Sequence, residues 1–151
     1  MIHFDVIGEP KAQPRPRAFA KRFGTKFVAR VYDAGTAEGW KAEIALAARP
    51  HLPAKPIYGP IGLTVAFRFS RPRSHYGTGK NAARLKASAP RHHTSKPDLD
   101  NLIKAVKDCL TTIGMWRDDS QVIHEISSKE YAVPPGVSIS IEMENPESPP
   151  P

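Results

Sequence analysis

Apolar and polar residues alternate along several stretches of the chain, and those stretches predict its strands. Residues 137–143 (VSISIEM) alternate most cleanly. Ile61–Phe69 (IGLTVAFRF) sets Leu63, Val65, Phe67 and Phe69 on one face, and residues 2–7 (IHFDVI) do the same with Ile2, Phe4 and Val6. Such a period of two marks a strand with one buried side. Lys26–Tyr32 (KFVARVY), with Phe27, Ala29 and Val31 aligned, and residues 121–131 predict two more strands. Elsewhere the period lengthens to three and four. Residues 36–49 (TAEGWKAEIALAAR) predict a helix with Trp40, Ile44 and Ala47 or Ala48 facing inward. Residues 100–113 predict a second, on Leu102, Val106, Leu110 and Ile113, with Gly114 as a left-handed stop.

Proline breaks the pattern between these elements. Pro10, Pro14 and Pro16 make residues 8–17 (GEPKAQPRPR) a semi-extended arm, and Pro50, Pro53, Pro56 and Pro60 forbid regular structure in a later linker. Residues 70–96 carry no sustained period and predict a long, partly mobile loop, with a helical turn near residues 81–86. Pro134 to Gly136 marks a turn, and the tail NPESPPP is expected to be disordered. The sum is an α/β (α+β) chain: one compact domain over residues 1–144, a mixed sheet, two main helices and a short tail at 145–151.

Length changes this picture little, since 151 residues suit one buried core. No apolar run approaches the roughly 20 residues needed to cross a bilayer, so no membrane partner is expected. No signal peptide is visible at the N-terminus, and one cysteine, Cys109, allows no intramolecular disulfide; a reducing cytoplasm is the default. Charge changes the picture more. The formal net charge is +7, which points to an anionic partner, nucleic acid first. Arg71, Arg73, Lys80, Arg84, Lys86, Arg91 and Lys96 occur without one intervening Asp or Glu. Arg15 and Arg17, alternating with proline, are also spaced for phosphate contacts.

Against this basic background stand two acidic pairs, Asp98 with Asp100 and Asp118 with Asp119. Pro97 keeps the approach extended, so Asp98 and Asp100 project to one side while Leu99 points to the core. Well inside a helix they would lie about 200° apart and could not share a cation. The pair therefore belongs at a strand-to-helix junction, with Asp98 or Asp100 also capping the helix. Lys104, one turn beyond Asp100, can overhang the same place. Asp119 joins the pair if residues 115–119 run back alongside the helix; otherwise a partner subunit supplies the third carboxylate. Taken singly, each feature has a plainer explanation: Asp98 and Asp100 as a helix start, Asp118 and Asp119 as a solvated turn, Lys104 as surface. Together, beside a cation-rich loop, they predict a divalent-metal site and phosphodiester chemistry. His92 and His93 read as phosphate contacts or plain surface, Cys109 as a small buried hydrophobe, and Trp116 as packing first, with base stacking left open by its place next to Asp118.

KPDLDNLIKAVKDCL followed by RDDSQVIHEISSKEY, with GEPKAQPRPR near the N-terminus, resembles the RusA family of Holliday-junction resolvases. The resemblance implies a RusA-like fold and a small homodimer that nicks four-way DNA junctions symmetrically with Mg²⁺, Mn²⁺ serving as a substitute. It assigns Asp98, Asp100 and Asp119 as catalytic, metal-holding carboxylates and Lys104 as the essential lysine, and aligns Asp118 with the first residue of the family's double Asp. The basic loop is long for the family core. The rival from another class is a basic DNA-binding regulator without nuclease activity, which would not need the three carboxylates together. A sugar transferase using the Asp98–Asp100 pair ranks lower, because no glycine-rich nucleotide-binding turn accompanies it.

Overall fold

The computed structural model describes residues 1–13 and 37–145, together with the backbone of two strands between them. In chain order the elements are β1 (Ile2–Ile7), β2 (Arg17–Phe23), β3 (Lys26–Tyr32), α1 (Glu38–Ala48), β4 (Ile61–Phe69), α2 (Leu99–Thr112), β5 (Val122–Tyr131) and β6 (Gly136–Met143). Four strands form one mixed sheet in the order β1-β6-β4-β5. β6 is antiparallel to both β1 and β4, whereas β5 runs parallel to β4. That parallel pair demands a long crossover, and the basic loop with α2 provides it. This is the mixed α+β architecture with two helices that the periodicity predicts.

The alternating positions set the register. Phe4, Ile139 and Val65 lie in one row across the sheet, and Val6, Val137 and Phe67 in the next. Their side chains are buried beneath the helices, where Trp40, Ile44 and Ala48 of α1 meet Leu102, Ile103, Val106 and Leu110 of α2. The other sheet face is polar: Ser138 donates to Asp5, and Arg68 lies 3.6 Å from the same carboxylate. A sheet with one wetted face explains the clean alternation of β6.

Three expectations change. The arm of residues 8–17 ends sooner, because β2 begins at Arg17 and pairs antiparallel with β3 as a separate hairpin. β2 (RAFAKRF) does not alternate apolar with polar residues; its signal is the Gly24–Thr25 dipeptide between Phe23 and Lys26, which are paired. Residues 70–96 are not a loose loop. Short 3₁₀ turns span Arg73–His75 and Gly79–Asn81, and Gly77 N–H reaches Arg84 O at 2.9 Å while Lys86 N–H reaches His75 O at 2.9 Å. The helical turn expected near residues 81–86 spans Gly79–Asn81 and continues as a turn closed by Arg84 N–H on Asn81 O. The tail beyond residue 145 lies outside the described residues. Among the described residues no helix is long and apolar enough to cross a membrane.

Candidate active site

The stripe of Leu102, Val106 and Leu110 holds α2 against the sheet and fixes where its first turn emerges. Asp98 occupies the N-cap position with extended backbone (φ −69°, ψ 143°), and its carbonyl accepts the Leu102 N–H at 3.1 Å. Its side chain makes no capping bond. A carboxylate at a helix start ordinarily folds back onto the free N–H groups; here it projects into solvent, as does Asp100 two residues on. Leu99 between them packs against the core. Both carboxylates are thus exposed at the extended-to-helix junction, with Asp98 as the cap residue and Asp100 inside the first turn.

The approach to Asp98 is fastened from below. Lys129, on the helix-facing side of β5, donates from Nζ to Ser95 O at 2.7 Å and to Pro97 O at 2.8 Å. His93 is almost fully buried, stacked on Phe69 at 4.0 Å between ring centroids with Tyr131 edge-on at 5.1 Å. Burial pushes the His93 imidazole pKa down, and the Lys129 ammonium adds to the shift. His93 is thus a core residue, contrary to the surface or phosphate-contact expectation. His92, bridged to Glu130, is exposed. Sequence alone does not separate two adjacent histidines of which one enters the core. The proline-rich arm also arrives here, since the Gln13 N–H donates to Asn101 O at 3.0 Å. Arg15, farther along the arm, and the side chain of Arg17 lie outside the described residues.

The second acidic pair sits at the opposite end of α2. Gly114 adopts φ 80°, Met115 N–H returns to Leu110 O, and buried Trp116 donates from Nε1 to Thr111 Oγ1 at 2.7 Å. Trp116 is packing, as expected. The chain turns at the helix end instead of running back along it, and β5 makes the return: Glu125 pairs with Lys107 at 3.1 Å before Lys129 reaches Pro97. Asp119 therefore lies towards the opposite end of α2 from the Asp98–Asp100 pair. Among the described residues no three His, Cys, Asp or Glu side chains converge as a ready metal site. Of the two routes open to Asp119, the one along the helix is not taken.

The family described as Endodeoxyribonuclease RusA matches residues 8–142. The chain belongs to the RusA endodeoxyribonuclease family. DNA is accordingly its substrate class and phosphodiester cleavage its class of chemistry. The chain is also 34% identical over 140 residues, covering 93% of this chain and 94% of the relative, to "Uncharacterized protein YqaN" of Bacillus subtilis (strain 168).

Within this RusA-family chain the remaining candidates fall in different settings. Lys104 is exposed, with Nζ 3.5 Å from Asp108 one turn beyond, so its ammonium points away from Asp100 in this conformation. Asp118 caps the short turn Asp119–Gln121: Oδ1 accepts the Ser120 N–H at 2.9 Å, which holds the carboxyl pKa below its ordinary value. Asp119, next to it, is exposed. Arg71 is half-buried, donating to Pro90 O at 2.6 Å and lying 4.9 Å from the Tyr131 ring centre, a brace for the basic loop. Arg73, Lys80, Arg84, Lys86, Arg91 and Lys96 are exposed. Cys109 is buried, its thiol pushed up to about 11 by desolvation.

Sequence reasoning missed Lys129 and Gln121. Gln121 Nε2 donates to Ile57 O and Gly59 O, and Oε1 accepts from Arg117 and Asp118 N–H, all at 2.9 Å. Its signal was the D-x-x-Q spacing of a capping box. Lys129 had no local signal, because its partners lie more than thirty residues away.

Proposed function

We propose that this chain is a divalent-metal-dependent endodeoxyribonuclease that resolves four-way DNA junctions by paired, symmetric nicks. The observation that carries the reading is the uncommitted pair Asp98 and Asp100, fixed at the extended-to-helix junction of a RusA-family chain. Asp98, Asp100 and Asp119 are the metal-holding carboxylates, all hard oxygen donors suited to Mg²⁺, with Mn²⁺ as substitute. The metal, when bound, supplies an activated water and neutralises charge on the phosphate. Lys104, released from Asp108, stabilises the developing charge. Arg73, Lys80, Arg84, Lys86, Arg91 and Lys96 line the DNA path, with Arg71 bracing it, and Arg15 and Arg17 are further phosphate contacts. The nuclease unit is residues 1–144.

The separation of Asp119 from its partners supports a homodimer in which two copies complete each site. β5 is an edge strand with Ile123 and Ile126 exposed. A two-fold, antiparallel contact along β5 would bring the Asp119 end of one copy towards the Asp98 end of the other. A two-fold enzyme also matches the symmetry of a four-way junction.

The direct test is nicking of a mobile four-way junction and a matched linear duplex, with Mg²⁺ or with EDTA. Paired nicks on the junction alone, dependent on Mg²⁺ and abolished in Asp98→Asn while junction binding persists, are expected. Asp98→Asn cutting at the wild-type rate would remove the assignment.

A further inference from the structure

Beside Asp119 an aromatic ring and a guanidinium stand together in solvent. Tyr58 is 74% exposed, and Arg117 lies 5.5 Å from its ring centre while donating from Nη1 to the Tyr58 hydroxyl at 3.1 Å. They come from loops far apart in sequence, joined by Gln121. Its carboxamide donates to the carbonyls on either side of Tyr58 and accepts the N–H groups of Arg117 and Asp118. A glutamine has two donors and two acceptor sites, and all four are used. Neighbouring Trp116 is buried and anchored to Thr111, with its backbone bridged to Ile57. The Tyr58–Arg117 pair is thus exposed on rigid support, next to a proposed catalytic carboxylate.

We infer that Tyr58 and Arg117 form a nucleotide-contact platform flanking the scissile phosphate, the ring taking the face of an unstacked base at the branch point and the guanidinium an adjacent phosphate. The inference rests on the nuclease reading and adds a contact surface to it. An exposed tyrosine serving only as a solvated surface residue would need no such support. Stacking on an aromatic face tolerates any base, which suits branched DNA, where paired bases give way to strained or open ones. Arg117 is exposed, and although its charge also favours the neighbouring Asp118 carboxylate, the guanidinium can reach a phosphate. Gln121 fixes both loops before DNA arrives, which lowers the ordering cost of binding. Gln121 is a positioning residue for the platform.

The experiment is equilibrium binding of the full-length protein, in EDTA, to a four-way junction carrying 2-aminopurine at the branch point. Nicking with Mg²⁺ is measured in parallel. Wild type and Asp98→Asn are expected to bind alike and to change the probe's fluorescence equally. Tyr58→Ala is expected to bind about tenfold more weakly with the fluorescence change lost, while Tyr58→Phe and Tyr58→Trp stay within about twofold of wild type. The Tyr58 side chain is exposed, so the Tyr58→Ala melting temperature should not move, which separates lost contact from lost fold. Arg117→Ala is expected to reduce the salt dependence of binding by about one phosphate contact. Tyr58→Ala binding with wild-type affinity and wild-type fluorescence change, while wild type nicks the junction, would overturn the platform alone. Wild type that neither binds nor nicks the junction would overturn the nuclease reading and the platform with it.

Discussion

At Asp118 the carboxylate accepts the Ser120 N–H, while its own N–H is held by Gln121; at Asp119, one residue on, the side chain faces solvent. Two adjacent acids therefore differ in commitment, and amide substitution separates their roles. Asp118→Asn keeps an oxygen acceptor for Ser120, so it is expected to nick junctions at close to the wild-type rate. Asp118→Ala loses the cap and should nick more slowly. Abolished nicking in Asp118→Asn would instead make Asp118 a metal ligand. The pH dependence of the cap follows from the direction of its shift. A carboxyl held below its ordinary value of 3.8 stabilises the turn above that pH and loses the contribution as pH falls through the folded value.

The basic loop between β4 and α2 is anchored by groups from β5, and this anchorage carries a pH dependence of its own. His93 is held neutral by burial, then by Lys129, with Glu9 acting in the opposite sense. A histidine depressed below 6.5 favours folding above that pH, and the stability is lost as pH falls through the folded value. His93→Phe keeps the stack on Phe69 without the titration. Its unfolding free energy, followed by denaturant titration, is expected to fall less than that of wild type below about pH 6.5. Parallel losses in both proteins would show that His93 is not the source. The same elements show what the sequence could reveal. α2 and β6 were legible because each buries one face only, so Leu102–Val106–Leu110 and Val137–Ile139–Ile141 appear as bare periodicity. Asp98 and Asp100 were legible because Pro97 and the helix start are local. The burial of His93, the clasp of Lys129 and the fourfold use of Gln121 were not, since each depends on contacts between distant segments. β2 stayed hidden for another reason: its residues lack the alternation that a sheet with one buried face imposes.

At the scale of the whole molecule, the direction of β5 matters most. It leaves the C-terminal end of α2 and runs back to its start, so one chain holds Asp98 and Asp100 at one end and Asp119 at the other. The fold class was legible, yet this separation was not, because the sequence fixes the length of α2 without fixing the path that follows it. A shared site resolves the separation, and subunit complementation tests it. Asp98→Asn and Asp119→Asn chains, differently tagged and purified as a heterodimer, are assayed on a four-way junction with Mg²⁺. If each site takes Asp98 and Asp100 from one copy and Asp119 from the other, the heterodimer has one site with both defects and one with none. Each homodimer is then expected to be inert, and the heterodimer to nick one strand per junction. An inert heterodimer that still binds the junction would contradict the shared site, and either homodimer cutting at the wild-type rate would contradict the carboxylate assignment itself.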